Sequence, residues 1–296
     1  MMRQMTIRAW KAELKGVLFV LPALILLGVF CIYPMLYAVR VSLYNWNMTS
    51  PMRYVGFYNY TKFFSNRTAI KALVATLKYV LYILPASLLI GFLLAQMIQR
   101  PGRASVISRT MIFIPHIASV VAVCTIWTFL FNPQYGVINT ALGALGLPGK
   151  RWLNDVNTAL LSIAIVSIWR QAGYNMIVFL GGIQNISQEV LEAARIDGAN
   201  KAQCVWYITL PLVMPTGFML MILNTISIFK MYTLIENLTL GGPAKSTTNL
   251  VYFIQQTAFT DYQMGYAFAI SVILFVIILL INLFQMSLER FVSYDA

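Results

Sequence analysis

Residues 186–215 read ISQEVLEAARIDGANKAQCVWYITLPLVMP, a polar, carboxylate-bearing island inside a very apolar chain. Ser187 is placed to cap a helix that begins at Gln188, and Ile186 with Leu191 supply the flanking apolar pair of a hydrophobic staple. Glu189 and Glu192 fall in or next to the first turn, where a carboxylate interacts favourably with the helix dipole. Gly198 predicts the stop, because glycine adopts the left-handed conformation just past a helix end without a Cβ clash. Asn200 and Gln203 then offer a second, box-like start, and Pro211 and Pro215 lead into a new apolar run. The expected local structure is helix, sharp glycine turn, short helix and apolar span. Local chemistry alone leaves two readings: an ordinary amphipathic loop helix between membrane spans, or a handle gripped by something outside the membrane.

The surrounding composition decides what the island interrupts. Of 296 residues, 59% are hydrophobic and only 10% charged, and the mean hydropathy of +0.74 excludes a water-soluble globule. A bilayer core requires about 20 mostly apolar residues per helix. Six segments qualify: Gly16–Tyr37, Thr76–Ile98, Met111–Phe131, Thr158–Gly182, Leu210–Phe229 and Tyr266–Met286. The expected fold is therefore an all-α integral membrane protein of six transmembrane helices, with kinks at prolines such as Pro22, Pro85 and Pro115. The longest polar connections, about residues 40–72 and 233–262, are too short to bury a core of their own. This gives an N-terminal segment over residues 1–15, a six-helix domain over 16–290 with the island at about 187–209, and a tail over 291–296.

The formal charge of +12 comes from basic residues scattered over successive loops without aromatic interleaving. That pattern suits lipid headgroups and the setting of topology, and it points away from nucleic acid. The N-terminus carries the charge of a signal-peptide n-region, yet the apolar stretch after it is too long and lacks a small-x-small cleavage site, so it is expected to remain as the first span. With both termini in the cytoplasm, the inner segments hold Arg3, Arg8, Lys11, Lys15, Arg100, Arg103, Arg109, Arg195, Lys201 and Arg290. The outer segments hold Arg40, Arg53, Lys62, Arg67, Lys71, Lys150, Arg151 and Lys245. Ten against eight favours termini inside, and the basic residues before the first span sit where the positive-inside rule counts most. The island is then cytoplasmic. Cys31, Cys124 and Cys204 lie far apart, which suits free thiols better than a disulfide framework or metal site.

Several residues invite chemistry. His116 has no second histidine or nearby carboxylate in sequence to orient it or to share a metal, and a packing or helix-end role explains it. Gly241–Thr247, GGPAKST, resembles a phosphate loop but lacks the required four-residue spacing before Gly-Lys-Ser/Thr, so it reads as a glycine-rich turn outside the membrane. Arg170 falls near the middle of the fourth span. An arginine there costs on the order of 2.5–3.5 kcal/mol, so it is expected to face a cavity, a partner subunit or a carbonyl rather than lipid. Lys78 and Lys230 lie close enough to span ends to snorkel. Around Arg170 sit Trp169, Gln171, Tyr174 and Asn175, and the fifth span offers Asn224, Ser227, Phe229 and Tyr232 near its end. Aromatic faces pack on the C–H faces of sugar rings while amides bind hydroxyls, which would suit a carbohydrate passage. Interhelical hydrogen bonding within the bundle accounts for the same residues equally well.

The spacing Glu192-Ala193-Ala194, three residues, Gly198, nine residues, Ile208, one residue, Leu210-Pro211 closely resembles the EAA motif of permease subunits of binding-protein-dependent ABC importers. The likeness extends to the six spans, to Asn132–Asn139 (NPQYGVIN), to the Trp169 patch and to Gly241-Gly242-Pro243. These accessory motifs are similar to those of the carbohydrate-uptake branch, whose members carry oligosaccharides, related sugars or glycerol-3-phosphate. The resemblance implies a type I importer-like fold in the bacterial cytoplasmic (inner) membrane and pairing with a second permease. It also implies two copies of a cytoplasmic ATPase subunit that hold ATP and Mg, and an extracytoplasmic binding protein that delivers the solute. This chain would bind no cofactor and catalyse nothing itself. The implied ATPase-coupling residues are Glu192, Ala193, Ala194, Asp197 and Gly198; the substrate-pathway candidates are Trp169, Arg170, Tyr174, Asn175, Asn224, Phe229 and Tyr232. Thr233 departs from the acidic residue that many relatives carry there. An ion-coupled carrier is the alternative, but it needs intramembrane carboxylates or histidines, and all nine acidic residues lie outside the six spans. A membrane-embedded enzyme would need a nucleophile or metal constellation, and the sequence offers none.

Overall fold

The computed structural model describes residues 17–99 and 102–293. The expected N-terminal segment 1–15, the basic residues Arg3, Arg8, Lys11, Lys15 and Arg100, and the last three residues of the expected tail lie outside these. The elements, in chain order, are α1 (Val17–Ser42), β1 (Tyr44–Asn45), β2 (Arg53–Tyr54), α2 (Tyr58–Ser65), α3 (Arg67–Ile98), α4 (Arg103–Ile117), α5 (Val120–Leu130) and α6 (Val137–Ala144). They continue as α7 (Ala159–Gln184), α8 (Gln188–Ile196), α9 (Lys201–Phe229), α10 (Thr233–Leu238), α11 (Leu250–Gln255) and α12 (Met264–Ser293). The only strands among the described residues, β1 and β2, form one antiparallel pair that matches Tyr44 with Tyr54 and Asn45 with Arg53.

Among the described residues five helices, α1, α3, α7, α9 and α12, are each long and apolar enough to cross a membrane. The expected third span, Met111–Phe131, kinks near Pro115 as expected, but as a break between two helices. It is the pair α4 and α5, bent by 98° at Ala118, which is extended, and Ser119, which is also outside the helical region. Pro115 lies inside α4 and, without an N–H, gives the Met111 carbonyl no ladder partner, which weakens the helix just before its end. The chain leaves the helix three residues later, and carbonyls near the end of α4 lose their helical partners. Counted as one crossing, the bent pair completes six.

The chain divides into two compact units. In the first, comprising residues up to Lys62 together with Thr257–Ile273, the buried Asn59 amide donates to the carbonyls of Ser42 at 2.8 Å and Tyr44 at 3.0 Å, and Gly265 N–H donates to Trp46 O at 3.2 Å. Most of the apolar side chains of α1 are exposed, as a lipid-facing helix requires.

The second unit, Phe63–Gln256 together with the chain from Leu274 onward, holds the core. Here α7 is central, packing along α3 and against α4 and α9. One cluster joins Tyr79, Ile83, Val123, Phe131, Ile163 and Ile228; another joins Phe92, Met176, Phe179, Leu180, Val213 and Leu220. Buried polar groups fix the 239–250 loop to α3: Tyr79 donates to Thr247 O at 3.1 Å and Thr76 Oγ1 accepts from Leu250 N–H at 2.9 Å.

Candidate functional site

The island folds as its local chemistry predicts. Ser187 Oγ accepts from Glu189 N–H at 3.2 Å, which caps α8. At the other end Gly198 takes φ +86°, its N–H donates to Arg195 O at 3.1 Å, and Ala199 N–H reaches back to Ala194 O at 2.9 Å. Those two bonds are a Schellman cap, closed by glycine in the left-handed conformation. Asn200 and Gln203 then form a reciprocal capping box, Gln203 N–H to Asn200 Oδ1 at 2.9 Å and Asn200 N–H to Gln203 Oε1 at 2.8 Å, and this opens α9. A π-turn over Cys204–Thr209 follows.

This construction sorts the proposed coupling residues by face. Glu192, Ala193, Asp197 and Gly198 are exposed, whereas Ala194 is buried on the inner side of α8. Ala194 thus packs the helix down and does not offer itself to a partner's cleft. Ile196, 85% exposed, stands in the outward set, and sequence reading had passed it over. An isolated Ile is an ordinary core residue by type, and only the fold shows which face it occupies. A Cβ built on Gly198 would meet nothing within 4 Å, so the turn presents bare backbone to the outside.

The second site lies at the break between α4 and α5. Arg170 Nε donates to Pro115 O and its Nη2 to His116 O, each at 3.2 Å. The arginine therefore satisfies carbonyls that the bend frees, as a cation does at any helix C-terminus. The ring of His116 stacks between Tyr174, at 4.8 Å, and Phe113, at 5.7 Å. A cavity of about 360 Å³ opens here, lined by His116, Arg170, Gln171, Ser227, Lys230 and Tyr232 among others, with no carboxylate in its wall. Lys230, expected as a lipid anchor, closes the C-terminus of α9 and shares this cavity with Arg170.

The other pathway candidates are placed differently. Trp169 follows the helical rotation of about 100° away from Arg170; it meets Trp127 edge-on at 5.5 Å and lines a separate, mostly apolar cavity of about 660 Å³. Phe229 is fully buried in the core. Asn224 Nδ2 donates to Asn175 Oδ1 at 2.9 Å, both residues buried, so in this conformation the two amides lock α7 to α9. Asn224→Leu would leave the buried Asn175 Oδ1 without its donor, at about 1–3 kcal/mol. The expected readout is a lower thermal unfolding midpoint of the purified protein; an unchanged midpoint would argue against this bond.

Glu236 is a further residue that the sequence alone did not single out. It lies one turn after Tyr232 in α10, and its carboxylate stands near the hydroxyls of Tyr232 and Tyr252, whose rings stack at 5.6 Å. Burial, with Glu236 beside it, pushes the Tyr252 hydroxyl up to about 12, and the same two causes raise Tyr232. Both phenols stay protonated.

A bundle with five to six apolar crossings, a polar cavity at a broken helix and an exposed capped helix between two spans defines a membrane-embedded transport permease. The family described as binding-protein-dependent transport system inner membrane component matches residues 87–294, and the chain belongs to it. The chain is 31% identical over 281 residues to the sn-glycerol-3-phosphate transport system permease protein UgpA of Pectobacterium atrosepticum, covering 93% of this chain and 94% of that one. It is 32% identical over 265 residues to the sulfoquinovosyl glycerol transport system permease protein SmoG of Agrobacterium fabrum, covering 89% and 86%. A solved bacterial ABC transporter involved in the import of the acidic polysaccharide alginate superposes with a TM-score of 0.81 at 25% identity, covering 96% and 98%. The all-α fold of an ABC importer membrane subunit, expected from the EAA spacing, is the fold observed.

Proposed function

We propose that this permease forms, with a second similar permease, the path of a carbohydrate or sugar-like solute that carries an acidic group. The observation that carries this reading is the cavity at the α4–α5 break, where Arg170 and Lys230 meet Tyr232, His116 and Gln171 without a lining carboxylate. Cations bind an acidic group, and aromatic and amide groups suit a sugar ring and its hydroxyls. The names of the relatives agree in kind, since glycerol-3-phosphate, sulfoquinovosyl glycerol and alginate all bear anionic groups. The exposed side of α8, with Glu192, Ala193, Asp197 and Gly198, docks into a cytoplasmic ATPase subunit, and a pair of such subunits holds ATP and Mg. Both chain termini lie on that same side. ATP-driven closure of the ATPase pair carries α8 and tilts the spans attached to it, opening the cavity toward the extracytoplasmic binding protein that delivers the solute.

Losing one charge-assisted contact of about 1.5 kcal/mol corresponds to about tenfold. In the complete importer reconstituted with its loaded binding protein, Lys230→Gln is therefore expected to slow uptake of the acidic solute about tenfold, with Lys230→Arg retaining most of the rate. Uptake at the wild-type rate in the glutamine variant would remove the cavity from the path. Uptake by this chain alone, without an ATPase subunit, would refute the importer reading itself and favour an ion-coupled carrier.

A further inference from the structure

A second basic cavity, of about 590 Å³, lies where the N-terminal half of α3, the start of α7 and the loop between α10 and α11 come together. It is at the other end of α7 from α8, about 39 Å away for a helix of 26 residues. Lys71 and Lys78, two turns apart on α3, and Lys245 from the loop line it, again with no carboxylate in the wall. Lys245 is not free to wander. It sits at φ +60° next to Ala244 at φ +49°, a conformation that side-chain-bearing residues hold only where surrounding structure enforces it. The enforcement is visible: Thr247 Oγ1 donates to Gly242 O at 2.8 Å, Thr248 Oγ1 donates to Gly241 O at 3.0 Å, and Tyr79 ties the same loop to α3. Ser246, next in the loop and also lining the cavity, has a buried hydroxyl with no hydrogen-bond partner.

The cavity also has an apolar rim. Val74, Tyr82 and Leu161 line it and are 44%, 40% and 46% exposed. A hydrocarbon core takes about 20 residues of helix, and α3 has 32. Lys71, in its second turn, therefore lies at headgroup level, and Lys78 lies at the boundary of the core, where a lysine snorkels outward. Three ammonium groups, an unpaired hydroxyl and an apolar rim at this depth match one ligand chemistry: a phosphate ester joined to acyl chains. We propose that this cavity binds the head group of an anionic phospholipid in the leaflet opposite α8. The phosphate sits among Lys71, Lys78 and Lys245 and accepts from Ser246, while an acyl chain runs along Val74, Tyr82 and Leu161.

The test is native mass spectrometry of the full chain in neutral detergent, titrated in parallel with phosphatidylglycerol, phosphatidylcholine and inorganic phosphate. Phosphatidylglycerol is expected to bind at least tenfold more tightly than phosphatidylcholine, and phosphate at the same concentration is expected not to displace it. Lys71→Gln, Lys78→Gln and Lys245→Gln together should bring the two lipids within about twofold, while Lys245→Gln alone, on an exposed loop residue, should lose about threefold. Equal affinity of the wild-type chain for the two lipids, or unchanged selectivity in both variants, overturns the proposal. Displacement by phosphate at equal concentration assigns the site to a soluble anion. Weakened association with the loaded binding protein, at unchanged lipid selectivity, makes the patch a protein contact and overturns it as well.

Discussion

Gly173→Val is expected to prevent the helical core from assembling. A Cβ on Gly173 would lie 2.1 Å from Ile112 O, 3.0 Å from Ile112 C and 3.2 Å from Phe113 Cα. These are backbone atoms of α4, so no side-chain rotation relieves the overlap, and α4 must shift bodily away from α7. The shift is opposed by the contacts that stabilise the bend. Arg170, three residues before Gly173, donates to Pro115 O and His116 O, and Tyr174, the next residue, stacks on His116. Overpacking costs about 1–3 kcal/mol, and each hydrogen bond from a charged donor that is lost adds about 1.5–3 kcal/mol. That sum is comparable with the whole stability of a typical domain, about 5–15 kcal/mol. Gly173→Ala should lower the thermal midpoint measurably and Gly173→Val should fail to elute as a monodisperse species on size exclusion in detergent. A valine variant that elutes and melts like the wild type would mean that α4 and α7 do not approach as closely as this.

The bend that makes Gly173 critical was legible only in part: Pro115 predicts a kink in the third span, but not a break of 98°. A hydropathy window counts apolar residues and reads Met111–Phe131 as one span, while the path of the chain is decided by Pro115, by the non-helical Ala118 and Ser119, and by an arginine 55 residues away. Arg170 was correctly expected to face a cavity or a carbonyl on the cost of its charge in lipid; it does both. By contrast, Phe229, Asn175 and Asn224 are residue types that serve a pathway wall or a packed interface equally well, and which one applies depends on neighbours from other helices. Lys230 shows the same limit: span-end position suggested an anchor, and only the turn into α10 brings it to the cavity of Arg170. The island was legible nearly in full, because capping is local. Ser187, Gly198, Asn200 and Gln203 act within five residues of one another's partners, and spacing alone specifies those bonds.

That local legibility yields the other large effect. Gly198→Val is expected to reduce ATP-driven uptake by more than tenfold while leaving membrane insertion unchanged. At φ +86° a β-branched residue is strained by about 1–3 kcal/mol, yet nothing lies within 4 Å of the added Cβ, so no core contact is lost. Relief of that strain comes from unwinding the Schellman cap: the bonds from Gly198 N–H to Arg195 O and from Ala199 N–H to Ala194 O open, and the end of α8 turns relative to the start of α9. Glu192, Ala193, Ile196 and Asp197 then no longer form one surface. Gly198→Asn separates conformation from bulk, because asparagine tolerates the left-handed region; it should keep most of the uptake. Co-purification of the ATPase subunit and transport by the reconstituted importer are the two measurements. Wild-type values of both in the valine variant would show that the turn is only a linker between two spans, whereas equal loss in the valine and asparagine variants would place the requirement in the bare backbone that glycine exposes to the ATPase.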